Sequence, residues 1–395
     1  MINSLNSNVN TLTYDFDIKY LFIILPVTFV FDSYILNAVF IFLITFINLL
    51  TINFENLKFV RITSWLFLLL FGITLIFKSQ NTNIGLLNYA HHFILPFLLF
   101  STITNLEFEE SFFKYLMISF IISGIILSLF SVLVLIESGF NFKLRIPSLW
   151  KFINMISGYL MICLIFCISF LINEKSVYLK ILNTSIIFLI ITGILLTQTR
   201  AIFVSIFLGL FVFIVKKPRI LIPVVIVLSL TFLLFNNLII DRILSIFFFT
   251  KDISSIGRIQ AWLTSYSLIK QNLFFGYGFE TFEALRDNVF AYYFVLVVNS
   301  HNTYLHLIFE TGLISAIVFL SFYFSAIFKT FSLIKDNINL KYKKIFLDSS
   351  QIILISFMFA FIFEPYFSIY GGATSYTLWI IISLIYNLKE SRVKS

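Results

Sequence analysis

Charge is scarce in this sequence. Asp, Glu, Lys and Arg make up 12% of its 395 residues, against 60% hydrophobic residues. A soluble domain carries about 25% charged residues. A soluble core of this length could not hide so much apolar surface, whereas a bilayer solvates it. Cysteine is also scarce: Cys163 and Cys167 are the only two, and both lie in one apolar run. Their spacing predicts thiols packed on one helix face, not a disulfide or a metal pair. Strand-type alternation is missing, which excludes a transmembrane β-barrel reading. Nucleotide and hydrolase motifs are missing too: there is no Walker or GxGxxG loop, no HExxH, no GxSxG and no carboxylate pair at metal spacing. A nucleotide-driven pump is therefore not expected. Acidic residues are fewer than basic ones, which leaves a net charge of +8. No basic stripe with interleaved aromatics stands outside the apolar runs, so that excess fits cytoplasmic loops and not nucleic-acid binding.

What remains is a series of apolar runs near the roughly 20-residue spanning length. They predict an all-α, polytopic transmembrane bundle of about 12 spans, near 19–33, 35–53, 63–78, 84–101, 112–136, 150–172, 177–197, 201–215, 219–240, 302–328, 346–363 and 367–387. Asp32 divides the first stretch, so the first two runs are either two short spans or one tilted helix. Residues 1–18 read as a cytoplasmic tail and 19–240 as the first part of the bundle. Residues 241–301 form a long outer loop, and 302–395 hold the last spans and a tail. With both ends inside, 17 of the 27 Lys and Arg fall on the cytoplasmic side, including the clusters Lys216-Lys217-Arg219 and Lys341 to Lys344.

A loop as long as 241–301 is usually functional. Ser254 or Ser255 can cap a helix from about Ile256 to Gln271, with Ile259, Trp262, Leu263, Tyr266 and Ile269 on one face. That pattern suits a helix on the membrane surface or packed on the bundle. FGYGF (Phe275 to Phe279) follows as a glycine turn.

The positive-inside rule gives no reason for cations on the outer side, so those that are there become candidates. Arg200 lies in QTRA (Gln198 to Ala201), and the next span reaches Lys216 in about 15 residues. Such a helix covers roughly 22 Å of a ~30 Å core. Arg200 is then expected at hydrocarbon depth, where a cation either snorkels to the interface or serves an anion site. Arg258 in GRIQAW is expected in the first turn of the surface helix, opposed to the macrodipole, which invites an anionic partner. Arg145 in KLRIPSLW is a third outer arginine. His301 stands where the outer loop enters a span and can accept a proton near neutral pH. Asn302 or Thr303 can cap that helix. Glu310 is nine residues on, about 180° around a continuous helix. It reads as a buried structural or cavity carboxylate, not a partner of His301. His306 reads as packing, and His91 and His92 receive no role.

QTRA, the GR…W…GYG stretch (Gly257 to Gly278) and SHNTYLHLIFETGL (Ser300 to Leu313) together resemble the O-antigen ligase and polymerase family. LRIPSLWKFINMISGYL (Leu144 to Leu160) is similar to that family's earlier Arg-and-Asn signature. The resemblance runs in order and spacing over about residues 140 to 380, while the N-terminal third matches in hydropathy alone. It implies a metal-independent inverting glycosyltransferase of the bacterial inner membrane, without a cofactor. Such an enzyme moves a glycan from undecaprenyl diphosphate to an acceptor hydroxyl on the periplasmic face. The acceptor is lipid A–core in a ligase and a second lipid-linked glycan in a polymerase. Carried over, Arg200 and Arg258 bind the donor diphosphate with Arg145 assisting, His301 is the general base or orienter of the acceptor hydroxyl, and Asn302 and Glu310 support it. Membrane lipids and other surface-polysaccharide assembly proteins are the implied partners. The outer loop departs from the family in being shorter and more apolar, with AYYFVLVV (Ala291 to Val298), so the acceptor is open. A polysaccharide-lipid transporter or flippase is the alternative from another class. A single long outer loop and the lack of repeat symmetry speak against it.

Overall fold

The computed structural model describes residues 18–31, 33–51, 60–141, 144–146, 148–150, 152–216, 218, 225, 229, 233, 253–289, 297–335, 340–367 and 372–388. Every regular element among them is helical. A short 3-10 turn, Ile18–Ile23, leads into α1 (Leu25–Thr28) and then α2 (Tyr34–Thr51). The predicted span 19–33 is therefore not a continuous helix: Pro26 opens a helix of only 4 residues, and the chain turns before α2. The two runs are separate pieces; Asp32 lies outside the described residues.

α3 (Ile62–Lys78) precedes one long crossing made of α4 (Thr82–Tyr89), a π-helical segment (Ala90–Ile94) and α5 (Leu95–Asn105). Pro96 accounts for the wide turn, since it has no N–H to donate and its ring displaces the preceding carbonyls. α6 (Glu110–Glu137), α7 (Ile153–Asn173), α8 (Val177–Thr197) and α9 (Arg200–Lys216) follow as neighbouring crossings. Next come α10 (Ile253–Gln271), α11 (Phe282–Arg286), α12 (Thr303–Lys335), α13 (Lys341–Ala360) and α14 (Gly372–Asn387). Among the described residues, five helical stretches are long and apolar enough to cross a membrane: 82–105, α6, α7, α8 and α12. This makes the chain a multi-pass membrane protein. α2, α3, α9, α13 and α14 occupy other predicted span positions as helices; the predicted span 219–240 lies almost wholly outside the described residues.

α7 is the hub: of the five crossing stretches it has the most buried apolar window, at 89%. In lipid, apolar side chains alone do not drive helices together, so close packing of small residues matters. Gly124 of α6 faces Cys163, and Gly193 of α8 faces Ser128; a Cβ at either would lie under 3 Å from those side chains. Cys163 and Cys167 are free buried thiols on this helix, as their spacing predicts. A second centre is aromatic: Trp65 of α3 packs on Phe322 of α12 and Trp379 of α14, at ring-centroid distances of 4.8 and 5.3 Å.

α12 is not the continuous helix expected. At Gly312 the backbone takes φ 76° and ψ 163°, a conformation that side-chain-bearing residues scarcely adopt. The helix therefore breaks into a short outer piece, residues 303–311, and a longer inner one. The carbonyls freed at the break are met by the glycine loop after α10. Tyr277 and Gly278 donate their N–H groups to the carbonyls of Phe309 and Glu310 (2.9 and 3.0 Å), and Leu313 donates to Leu273 (2.8 Å). The fit leaves no room for a side chain: a Cβ on Gly312 would sit 2.1 Å from the Phe274 oxygen, and one on Gly276 2.4 Å from that of Glu310. FGYGF and ETG, 30 residues apart, are thus two halves of one joint.

α10 begins at Ile253, earlier than the Ser caps suggested. It turns its small residues inward, with Gly257, Ala261, Thr264 and Ser265 buried. The expected apolar face splits: Ile269 is buried, while Ile259, Leu263 and Tyr266 face outward with Ile253. An outward apolar row beside exposed Phe274 and Phe275 suits contact with a membrane surface.

Candidate active site

The starts of α7, α9 and α12 meet the turn that follows α13, with α10 laid against them. Thr303 ties two of these together: its N–H donates to the Phe361 carbonyl (2.7 Å) and its hydroxyl to the Glu364 carbonyl (2.7 Å). Asn302 caps α12, accepting from the Leu305 N–H at 2.9 Å, and donates from Nδ2 to the Ile362 carbonyl at 2.9 Å.

Glu364 occupies the centre, only 2% exposed. Three groups converge on its carboxylate. Arg258 Nη2 lies 2.7 Å from Oε1, Asn154 Nδ2 donates to Oε1 at 2.6 Å, and His301 Nδ1 lies 3.2 Å from Oε2. Burial works against charge on this carboxyl, but His301 and Arg258 outweigh it and hold the acid below the usual carboxylate range. An ionised carboxylate only accepts, so the contact places a proton on His301 Nδ1; in the neutral imidazole Nε2 is then the accepting nitrogen. The histidine is held on its backbone side too. Its φ of 45° is left-handed, its N–H donates to Asn299 Oδ1 (2.8 Å), and its carbonyl accepts from Trp262 Nε1 (3.4 Å).

The network extends through Asn154. Its Oδ1 accepts from Arg145 Nη2 at 2.9 Å and from Thr199 Oγ1 at 3.3 Å, and Arg145 Nε donates to the Thr197 carbonyl at 3.2 Å. Tyr366 donates to the Asn154 carbonyl at 2.9 Å, so the residue is fixed at both ends. Gln198, at φ 55°, makes the sharp turn from α8 into α9, and Arg200, half-buried, is the first residue of α9. The structure thus joins Arg145, Arg258 and His301 through Asn154 and Glu364, and starts the helix of Arg200 beside Thr199.

Three sequence expectations change. Arg258 is not in the first turn of its helix but in the second, because α10 starts at Ile253. Its anionic partner is a carboxylate of the protein. His306 is more than packing: its Nε2 lies 3.2 Å from Glu310 Oε2, and both side chains are 1% exposed. Glu310 in turn accepts the Glu280 N–H at 2.9 Å, which fastens the glycine loop to α12 and leaves the residue apart from His301. Glu364 was not singled out from the sequence, and Asn154 entered only as the Asn of the Arg-and-Asn stretch, without a role of its own. The available signal for Glu364 was an isolated acid before proline in an apolar run, FIFEPYF (Phe361 to Phe367).

The arrangement presents two arginines and one carboxylate around a half-buried histidine, so its net charge is positive. Arg258 Nε is buried with no hydrogen-bond partner among the described residues. A buried donor left unmet is costly, and an anionic oxygen would satisfy it. The site therefore sets a cationic flank, with one unmet donor, beside an oriented imidazole.

Residues 185–320 match the family model described as O-antigen ligase. The match takes in Arg200, Arg258, His301 and Glu310, and supports the resemblance of this part of the chain to the O-antigen ligase and polymerase family. That family implies a glycosyltransferase-type enzyme in a multi-pass membrane protein. A search of curated proteins returned no match.

Proposed function

We propose that the protein transfers a glycan from undecaprenyl diphosphate to an acceptor hydroxyl on the periplasmic face of the bacterial inner membrane, as a ligase acting on lipid A–core. The observation that carries this reading is the His301–Glu364–Arg258 cluster: a half-exposed base oriented through Nδ1, with arginines on the same carboxylate and amide.

In this reading the acceptor hydroxyl gives its proton to His301 Nε2 as its oxygen bonds to the anomeric carbon. The bond from that carbon to the diphosphate oxygen breaks, and undecaprenyl diphosphate leaves with the electron pair. A single in-line displacement inverts the anomeric carbon. Arg258, Arg200 and Arg145 meet the charge that develops on the leaving group; arginine suits a diphosphate because it stays charged and binds in bidentate fashion. Glu364 holds the imidazole in the useful tautomer and stabilises the imidazolium. Asn302 and Glu310 act on the scaffold: the first caps α12, the second anchors its loop. No metal or cofactor is required by these steps.

A repeat-unit polymerase would use the same residues with a second lipid-linked glycan as acceptor. Deletion followed by a gel of surface polysaccharide separates the two. Loss of all chains from lipid A–core with lipid-linked polymer accumulating indicates the ligase; a single repeat unit on the core indicates the polymerase. An unchanged ladder overturns both, and lipid-linked glycan trapped on the cytoplasmic side indicates a transporter or flippase.

A further inference from the structure

At the opposite ends of α6, α7 and α13 from the candidate site lies a groove of about 390 Å3. α7 is 21 residues long, about 31 Å, and carries Asn154 of the site at one end and Asn173 of the groove at the other. The two features therefore stand about one hydrocarbon thickness apart, on opposite faces. The groove has two kinds of wall. Ile118, Ile122 and Ile125 of α6 and Ile186 of α8 make a continuous apolar face. Lys114, Lys341, Asn173 and Asn183 make the polar end.

We infer that this groove binds an anionic phospholipid, with its phosphate at Lys114 and Lys341 and an acyl chain along the isoleucines. Charge complementarity argues for it. Among the described residues Glu174 is the one acid lining the groove; its Oε1 accepts the N–H groups of Lys175 and Ser176 at 2.8 and 3.0 Å and it attracts Lys341 and Lys180, yet Lys114, Lys341, Lys343 and Lys344 outnumber it and Glu110. Glu110, nearby, accepts the Tyr342 N–H at 2.8 Å and so caps α13. Lys343 and Lys344 follow Lys341 in the first turn of α13, which contains no acid. The mouth is thus cationic after its acids are counted. Its depth is right as well: Lys114 and Lys341 each lie over the ring of Tyr342, at 5.4 and 5.2 Å. Tyrosines under lysines mark the headgroup level of a bilayer. The groove also opens toward lipid, because its lining residues Ile122 and Leu179 are 43% and 39% exposed. A basic pocket between crossing helices with an apolar floor is what a phosphate headgroup and its chain require.

The test uses the full-length protein in dodecyl maltoside, with bound lipid counted by native mass spectrometry. Dioleoyl phosphatidylglycerol, dioleoyl phosphatidylcholine and inorganic phosphate are the probes. Phosphatidylglycerol should bind at lower concentration than phosphatidylcholine and raise the melting temperature; inorganic phosphate should not. Each lysine near an anionic headgroup is worth roughly a factor of five, so Lys114→Gln with Lys341→Gln should weaken phosphatidylglycerol binding on the order of 30-fold. Ile118→Trp, which fills the groove and keeps both lysines, should lose the lipid while melting as the parent does without lipid. Equal binding of both lipids, an equal shift with phosphate, or undiminished binding by either variant would overturn the inference.

Discussion

Two histidine–carboxylate pairs sit five residues apart at the outer end of α12, and they differ in nearly everything but distance. His301 to Glu364 and His306 to Glu310 are both 3.2 Å. The first pair joins residues 63 apart in the chain, leaves its histidine 24% exposed, and shares its carboxylate with Arg258 and Asn154. The second is an i,i+4 pair sealed at 1% exposure on both sides, and its carboxylate holds the Glu280 N–H. The difference teaches how exposure and neighbours set the part given to each pair in the proposed function: an accessible base in the first, a sealed clamp in the second. A base must meet its substrate; a clamp must not meet water.

The comparison breaks most sharply at His301. His301→Ala should lower transfer of a lipid-linked glycan by on the order of 10²–10⁴-fold, the range for a removed general base. Arg258 and Asn154 still hold Glu364, so the melting temperature of the correctly inserted protein should fall only modestly. Full activity in this variant would sink the mechanism, as it would for Arg200→Ala. Glu364→Gln should come next, with an activity loss on the order of 10²-fold or more at unchanged acceptor affinity. It should also alter acid stability. The folded acid lies below its ordinary value, so its contribution is present above about pH 4.5 and is lost as pH falls through the lower folded value. Melting curves of Glu364→Gln should therefore flatten with acidification relative to the parent.

On the clamp side the order of effects reverses. Glu310→Gln should cost stability, roughly 3–5 kcal/mol from a broken buried pair, and leave activity per folded molecule near that of the parent. A specific-activity loss as large as that of His301→Ala would erase the distinction between the pairs. Gly312→Ala should be destabilising by a few kcal/mol, since it adds backbone strain and a clash with the Phe274 oxygen. Thermal unfolding in detergent measures both. Arg145→Ala should have the smallest effect, a several-fold drop in activity, because a solvent-exposed guanidinium stabilises the leaving group least.

The crossing helices were legible in the sequence because hydropathy and length alone define them in a bilayer. The breaks were not. Pro26 breaks the predicted span 19–33, and Gly312 breaks the predicted span 302–328. A glycine in a crossing helix reads the same whether it packs closely, as Gly124 does, or turns the chain, as Gly312 does. The candidate arginines and His301 were found because cations on the outer side lack an ordinary explanation. The same reasoning was blind to Glu364: counting cations passes over an acid, and no local pattern reveals a partner 106 residues from Arg258. Asn154 was visible only as part of the Arg-and-Asn stretch; its bridge between Arg145 and Glu364 needs the fold.

The joint at Gly312 separates what the bilayer moves from what the chemistry needs still. Below it, residues 313–335 are the part whose tilt is expected to follow the thickness of the surrounding lipid. Above it, the short piece that begins beside His301 is splinted by the glycine loop and by Thr303. Reconstitution in lipids of graded chain length should therefore leave the catalytic rate nearly flat. A variant with the splint loosened, such as Gly276→Ala, should become sensitive to membrane thickness where the parent is not.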